Sequence, residues 1–372
     1  MNFKNLFING VCSGLKKGKY DLGIIYFPYG FFALASFTKN KFKAAPILIS
    51  KKNLSRPKIL VVNSKFANAG TGKEGFRRAL EVAKFCSKIF GVKQNEILLA
   101  STGVIGKQLP VSKIKDGIKK LEKFFRQKKA SPLSFAKSIL TTDTCVKTAE
   151  TKNFWACAKG SGMIAPNLAT FLCFILSDAF VDFKKERKIF KNALKVFNQI
   201  SVDGETSTND SVFFLSTALK KIKEGDFKKQ IDFVCRQLSR KIIEDGEGAT
   251  KVIKIVVRGA RTPKEAQFLA RFLSNSPLIK TAFNGESPNW GRIYSRVGFS
   301  GVNVDEKKLK IKICGTKVFN GKPVFFNRNT LRRKLQRKFV SFEVDLRQGR
   351  ENFEIWTNDL SKGYVKINAE YN

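Results

Sequence analysis

The sequence predicts a mixed α/β (α+β) protein. Three observations carry that expectation. Short apolar runs bounded by turn residues fill the first sixty positions, and stretches of helical period recur in both halves. A chain of 372 residues with 43% hydrophobic side chains is also long enough to bury a substantial core.

In chain order, the β-rich runs are 22–26, 31–37, 47–49 and 59–62. The longest apolar run, 22–37, contains Pro28 and Gly30 and is too short for a bilayer span, so it reads as a buried pair of strands around a turn. From 73 to 90 the period becomes helical: Phe76, Leu80, Ala83, Cys86 and Phe90 share one face, and Gly91 follows as a stop. A strand at 97–100, a helix over 112–127 and a shorter helix from 131 into a polar turn at 142 come next. The run 171–176 reads as a buried strand. Amphipathic helices are expected over 184–200, 210–220 and 228–244, then a strand over 250–258. Thr262-Pro263-Lys264-Glu265 has the spacing of a capping box with proline at the first helical position. The stretch 283–292 is a turn-rich loop. From 308 onward the chain reads as strands, apart from a short helix near 329–337. No internal repeat, low-complexity linker or domain boundary stands out.

Composition narrows the chemistry. There are 70 Lys and Arg against 30 Asp and Glu, a formal charge of +40, yet the basic residues are spread along the chain with no basic tail. No aromatic-plus-basic RNA-binding signature accompanies them, so no specific nucleic acid or membrane is expected as partner. Heavy use of Phe and Lys with few Met and Trp fits a proteome-wide drift in codon usage. The histidine count is zero, which excludes Ser-His and Cys-His mechanisms and His-liganded metal sites. Any catalytic base must be a carboxylate, a lysine, a tyrosine or an α-amine. The seven cysteines are odd in number, widely spaced and never form C-x-x-C, which fits a reducing cytoplasm. The opening residues lack the pattern of a signal peptide.

Several segments are dense in small and hydroxylated residues. Gly70-Thr71-Gly72-Lys73 resembles a phosphate loop but fails, because Glu74 follows Lys73 and no glycine stands five positions before Gly72. Ser101-Thr102-Gly103-Val104-Ile105-Gly106 leaves a strand; it is either an ordinary exit or a set of N–H and hydroxyl donors facing a ligand. Lys159-Gly160-Ser161-Gly162-Met163-Ile164-Ala165-Pro166-Asn167-Leu168-Ala169-Thr170 is either a tight connection or something more reactive. A threonine after a constrained turn and a small residue can attack its own upstream carbonyl. Hydrolysis of the resulting ester leaves that threonine as a new N-terminus, whose α-amine serves as base without any histidine. The remaining segments are 201–210, Asp245-Gly246-Glu247-Gly248-Ala249-Thr250-Lys251 and Pro288-Asn289-Trp290-Gly291-Arg292. Locally these read as a helix cap, a helix-ending glycine turn and a loop.

In this order and together, the segments resemble the ornithine acetyltransferase family, also called the bifunctional glutamate N-acetyltransferases. The resemblance runs from Gly10 through Phe37-Thr38-Lys39-Asn40 and Ala44-Ala45-Pro46 to Asn368. It implies a layered sandwich of sheets and helices with a smaller C-terminal α/β region. It further implies self-cleavage between Ala169 and Thr170, giving an alpha chain 1–169 and a beta chain 170–372 that stay together as one catalytic unit.

Thr170 is then the nucleophile that carries acetyl from N-acetylornithine to glutamate. Thr102 and Gly103 match the oxyanion hole. Thr141, Lys159, Glu247 and Asn368, with Thr170 itself, match substrate-binding positions. The resemblance implies no metal and no cofactor, acetyl-CoA being left open as a co-substrate, and an assembly of two copies of each cleaved chain. Departures from the family pattern are Lys65 and Phe66 in place of glycine and asparagine, Glu205 in place of aspartate, and a shortened stretch between Asp143 and Lys159. Asn372 falls one residue before the family's usual final threonine. Two further classes stay open at this point: a related self-cleaving N-terminal-nucleophile amidohydrolase, and a repurposed basic binding protein.

Overall fold

Residues 6–164 and 171–370 are described by the computed structural model. They fall into two units, the first made of 6–163, 171–197 and 206–242, the second of Ile164, 198–205 and 243–370.

The first unit holds two sheets. One contains β1 (Phe7–Val11), β2 (Leu22–Tyr26), β4 (Ile59–Asn63) and β5 (Ile97–Ser101), adjacent in that order. Only β4 and β5 run parallel. The other has the order β3-β10-β8-β7-β6, with β3 (Phe32–Phe37), β6 (Lys147–Glu150), β7 (Phe154–Lys159), β8 (Leu172–Phe180) and β10 (Ser211–Lys221). Facing side chains of the two sheets, Ile25, Leu60, Val62 and Leu98 from one and Trp155, Leu172, Phe174 and Phe213 from the other, make one core layer.

On the outer face of the first sheet lie α1 (Ala45–Lys52), α2 (Gly72–Phe90) and α3 (Val111–Arg126). The buried stripe Ala79, Val82, Ala83 and Cys86 of α2 and Ile114, Ile118 and Leu121 of α3 follow the helical period. Burying each large apolar member contributes about 1.5–3 kcal/mol. Gly91 ends α2 in the left-handed conformation, φ 65°, its N–H returning to Ser87 O. The short helix α4 (Pro132–Ser138) puts Phe135 and Ala136 into the inter-sheet core. Beyond the second sheet, Phe190 of α5 (Phe183–Ala193) and Phe227 of α6 (Glu224–Glu244) pack on Phe214. The result is helix, sheet, sheet, helix.

The second unit is built on one sheet of order β13-β12-β14-β11-β15-β9. Its strands are β9 (Ile200–Ser201), β11 (Val252–Ala260), β12 (Lys310–Ile313), β13 (Thr316–Asn320), β14 (Phe339–Asp345) and β15 (Glu351–Asn358). Four helices share its core: α7 (Pro263–Ser274), α8 (Pro277–Asn284), α9 (Trp290–Gly298) and α10 (Arg328–Leu335). Inward residues alternate along β14 as Val340, Phe342 and Val344. A last helix, α11 (Lys362–Ala369), is capped by the Ser361 hydroxyl. At the start of α7, the Thr262 hydroxyl accepts from Glu265 N–H at 3.1 Å, and the Glu265 carboxylate accepts from Arg261 N–H at 2.9 Å.

Six expectations are corrected. The apolar run 47–49 lies in helix α1, where Pro46 occupies the first turn that tolerates it. The expected helix over 210–220 is strand β10, buried between β3 and β8, so its inner half is apolar on both faces and shows no alternation. The helix expected over 184–200 ends at Ala193 and gives way to a tighter 3₁₀ turn and then β9. The two strands of 22–37 do not pair with each other: β2 joins β1 and β4, while β3 joins β10. The expected loop 283–292 shrinks to the connection between α8 and α9, and α11 falls where strands were expected.

Candidate active site

Thr102, Gly103, Thr141 and Lys159 belong to the first unit, Glu247 and Asn368 to the second. Ala169 and Thr170 lie outside the described residues.

In the first unit, parallel β4 and β5 end level with each other at Asn63 and Ser101, and their exit loops continue side by side. Thr102 N–H donates to Asn63 O, Val104 N–H to Lys65 O and Ala67 N–H to Val104 O, each at 3.0 Å. The Asn209 side-chain amide ties the two loops together, donating to Ala67 O at 2.6 Å and Ser101 O at 2.9 Å. Gly103 is required where it stands. Its φ is +129°, and a Cβ there would lie 2.2 Å from the Lys65 carbonyl carbon. Its N–H meets no acceptor among the described residues. Beside it, the Thr102 hydroxyl, on a residue only 9% exposed, accepts from Lys159 Nζ at 3.4 Å. A backbone N–H, a hydroxyl and a buried ammonium therefore meet where two strands end, an arrangement suited to developing negative charge.

Lys159 closes β7 and is held in an electrostatic network. Asp143 lies at its centre, with its carboxylate fully buried. One oxygen accepts from Lys147 Nζ at 2.6 Å and Gly160 N–H at 2.7 Å, the other from Thr141 N–H at 3.1 Å. Burial would raise the acid's pKa, but Lys159, Lys147 and these hydrogen bonds override it and hold Asp143 at about 2. Lys16 is lowered to about 8, chiefly by burial, while Asp21 and Asp143 oppose that fall and Lys19 and Lys159 add to it. The Thr141 hydroxyl makes no hydrogen bond among the described residues, whereas the Thr142 hydroxyl lies 2.7 Å from that of Ser161.

In the second unit, Glu247 sits between two glycines that the packing demands. A Cβ on Gly246 would lie 2.2 Å from Asn358 Oδ1, and one on Gly248 (φ +62°) would lie 2.1 Å from Tyr364 N. The turn is thereby pressed onto α11, whose Asn368 amide donates to Glu247 Oε2 at 2.8 Å. One helical turn earlier, Tyr364 donates its hydroxyl to Asp203 Oδ2 at 3.4 Å. Its phenol is pushed well up by burial and then by Asp203, Glu247 and Glu205. Lys280, 5% exposed, donates to Val202 O and, at 3.3 Å, to Thr357 Oγ1. Burial lowers it to about 8, against Asp203 and Asp359.

Residues 7–372 match the model of the ArgJ family. The arginine biosynthesis bifunctional protein ArgJ of Oceanobacillus iheyensis is 37% identical, over 98% of this chain and 94% of its own length. The chain belongs to the ArgJ family. The ArgJ protein of a Bacillus cereus strain is 39% identical over 97% of this chain and 93% of that protein. Among solved structures, the arginine biosynthesis bifunctional protein argJ of Bacillus halodurans superposes with a TM-score of 0.50 at 33% identity. It covers 53% of this chain and 98% of that one. Family membership bears out the resemblance drawn from the Lys159–Thr170 block and its companion motifs, and with it the mixed α/β fold. Among the described residues no helix is long and apolar enough to cross a membrane.

Sequence reasoning missed Asp143 as the hub beneath Thr141 and Lys159, and Asp203, Tyr364 and Lys280 in the second unit. Asp203 stood inside a segment already singled out, and Asp143 bordered the shortened stretch before Lys159. Tyr364 and Lys280 carried no local signal, because their roles come from partners 161 and 78 positions away.

Proposed function

We propose that this ArgJ-family enzyme is an acyltransferase of arginine biosynthesis that moves acetyl from N-acetylornithine to glutamate through Thr170. The observation that carries the reading is the match to bifunctional arginine-biosynthesis relatives along 98% of the chain, with the family's reactive block intact in sequence.

In maturation, the Thr170 hydroxyl oxygen attacks the Ala169 carbonyl carbon, the Ala169–Thr170 C–N bond breaks, and the hydroxyl proton passes to the freed amine. Water then hydrolyses the ester, leaving an Ala169 carboxylate and a free Thr170 hydroxyl. The halves would hold 169 and 203 residues. The solved Bacillus halodurans chain supports this, since it is nearly all matched yet spans 53% of this chain, close to the fraction 203 of 372.

In turnover, the Thr170 α-amine accepts the hydroxyl proton as the oxygen attacks the acetyl carbonyl. The Gly103 N–H and Thr102 hydroxyl take the oxyanion, the C–N bond to ornithine breaks with the proton moving to the leaving amine, and acetyl remains as an ester. The glutamate amine then attacks that ester, giving N-acetylglutamate. Lys159 grips the substrate carboxylate and Glu247, oriented by Asn368, the ammonium at the other end, with Thr141 donating alongside. No cofactor enters this scheme. Acetyl-CoA is the alternative donor, the cleaved chains pair as two of each, and the enzyme works in the cytoplasm.

The test is intact mass and N-terminal sequencing of wild type beside Thr170→Ala, with acetyl-transfer kinetics. Two fragments, the second starting Thr-Phe-Leu-Cys, and an uncut, inactive variant are expected; an uncut wild type refutes the nucleophile. Glu247→Ala should raise the KM for acetylornithine, and unchanged kinetics would remove Glu247 from the site.

A further inference from the structure

Six residues after Ile164 comes Thr170, and the residue on the other side, Phe171, is described again. How those two flanking residues are held is set by separate groups. Within the first unit, Phe171 O accepts from Ser211 N–H at 3.1 Å, and its ring packs on Phe197 with centroids 4.4 Å apart. Within the second unit, both backbone groups of Ile164 are bonded. Its N–H donates to Asp203 Oδ1 at 2.9 Å and its carbonyl accepts from Val202 N–H at 2.7 Å. The side chain is 2% exposed. Just before it, Met163 takes a left-handed conformation, φ 55°, which a residue with a Cβ adopts only when its surroundings impose it.

The group holding Ile164 is itself held on every side. Asp203 Oδ1 also accepts from Glu205 N–H at 3.2 Å, closing a tight turn, and Oδ2 accepts from the Tyr364 hydroxyl at 3.4 Å. Lys280 Nζ donates to the carbonyl of Val202, and Gly204 (φ +85°) lies against the Asn275 side chain, which accepts from the Ser201 hydroxyl at 2.8 Å. None of these residues is needed for acetyl transfer in the scheme above. Their shared effect is to fix the main chain at Ile164.

We propose that Asp203 is a positioning residue for self-cleavage: it fixes the chain at Ile164 so that the short link to Thr170 starts from one place. The inference rests on the cleavage reading given above. An N-to-O acyl shift requires the hydroxyl oxygen to be presented to a particular carbonyl, and that gain comes from removing alternative conformations before the reaction. Freeing one residue's backbone restores enough conformational freedom to slow such a step about tenfold. The acceptor oxygen is what matters here, so an isosteric amide, whose oxygen accepts the same hydrogen bond, should serve as well as the carboxylate.

The experiment follows cleavage of the full chain over time in cell-free synthesis, on denaturing gels with fragment masses, for wild type, Asp203→Ala and Asp203→Asn. Asp203→Ala is expected to cut about tenfold more slowly and Asp203→Asn within about twofold of wild type. Circular dichroism of the uncut Thr170→Ala protein, with and without Asp203→Ala, should coincide, and both proteins should melt above the assay temperature, the alanine variant lower by the loss of the Asp203 hydrogen bonds, which separates positioning from folding. Wild-type cutting by Asp203→Ala overturns the proposal. If the alanine variant does not fold, slow cutting by a folded Asp203→Asn overturns it instead. A wild type that is never cut refutes the underlying cleavage reading, an outcome distinct from a wild type and an alanine variant that cut equally fast.

Discussion

Replacing Asp143 by alanine should destabilise the first unit by about 4 kcal/mol. Both side chains of the Asp143–Lys147 pair are 0% exposed and lie 2.6 Å apart. Removing one member of a buried pair typically costs about 3–5 kcal/mol. The buried Gly160 N–H loses its acceptor as well, worth about 1–3 kcal/mol. The half-buried Thr141 N–H can turn to water. Because Lys147 and Gly160 bond the same oxygen, the two costs overlap and do not add. The sign with pH follows from the acid's lowered pKa of about 2, against 3.8 normally. Its stabilisation is fully present above the unfolded value and is lost as pH falls through about 2. The gap between wild type and Asp143→Ala should therefore be constant near pH 7 and narrow below pH 4. Urea unfolding in the uncut Thr170→Ala background keeps one covalent chain throughout and measures the difference. Adding Lys147→Met should recover part of the loss, since it removes the buried charge that Asp143 faces. A loss under about 1 kcal/mol, or additivity of the two changes, would refute the claim that Asp143 acts through a buried ion pair.

Two other outcomes follow from the site geometry. Thr102→Val removes a hydroxyl next to Lys159 and should lower kcat for acetyl transfer about 10²–10³-fold with little change in KM; an undiminished kcat would exclude it from the oxyanion hole. Lys280 has a folded pKa near 8 against 10.5 unfolded, so the unfolded chain binds the extra proton between those values. Wild-type stability should then rise with pH from about 8 to 10.5 relative to Lys280→Met, by at most about 3 kcal/mol. Parallel stability curves for the two proteins across that window would contradict the lowered pKa.

The segments that carry the family resemblance were legible from residues close together in the chain. The block from Lys159 to Thr170, the Thr102-Gly103 pair and the glycines around Glu247 are local patterns, and a histidine-free composition narrowed the choice of base. Helices with a single apolar stripe, such as α2 and α3, were equally plain, because a one-sided burial pattern writes its period into the sequence. Strand β10 was not, since its inner half is buried on both faces and the two-residue period is erased. Helix α1 was hidden behind a β-branched run that propensity alone assigns to strand, and packing against β5 decides otherwise.

What only the tertiary structure decided is which groups meet. Lys159 reaches Thr102 across 57 positions, Asn368 reaches Glu247 across 121, and Asp203 holds Ile164 across 39. Each residue type suits its role, but any Lys, Asn or Asp elsewhere in this highly charged chain would look the same in sequence. Hydrogen bonds depend on separations of a few ångströms, and sheet order and strand register set those separations.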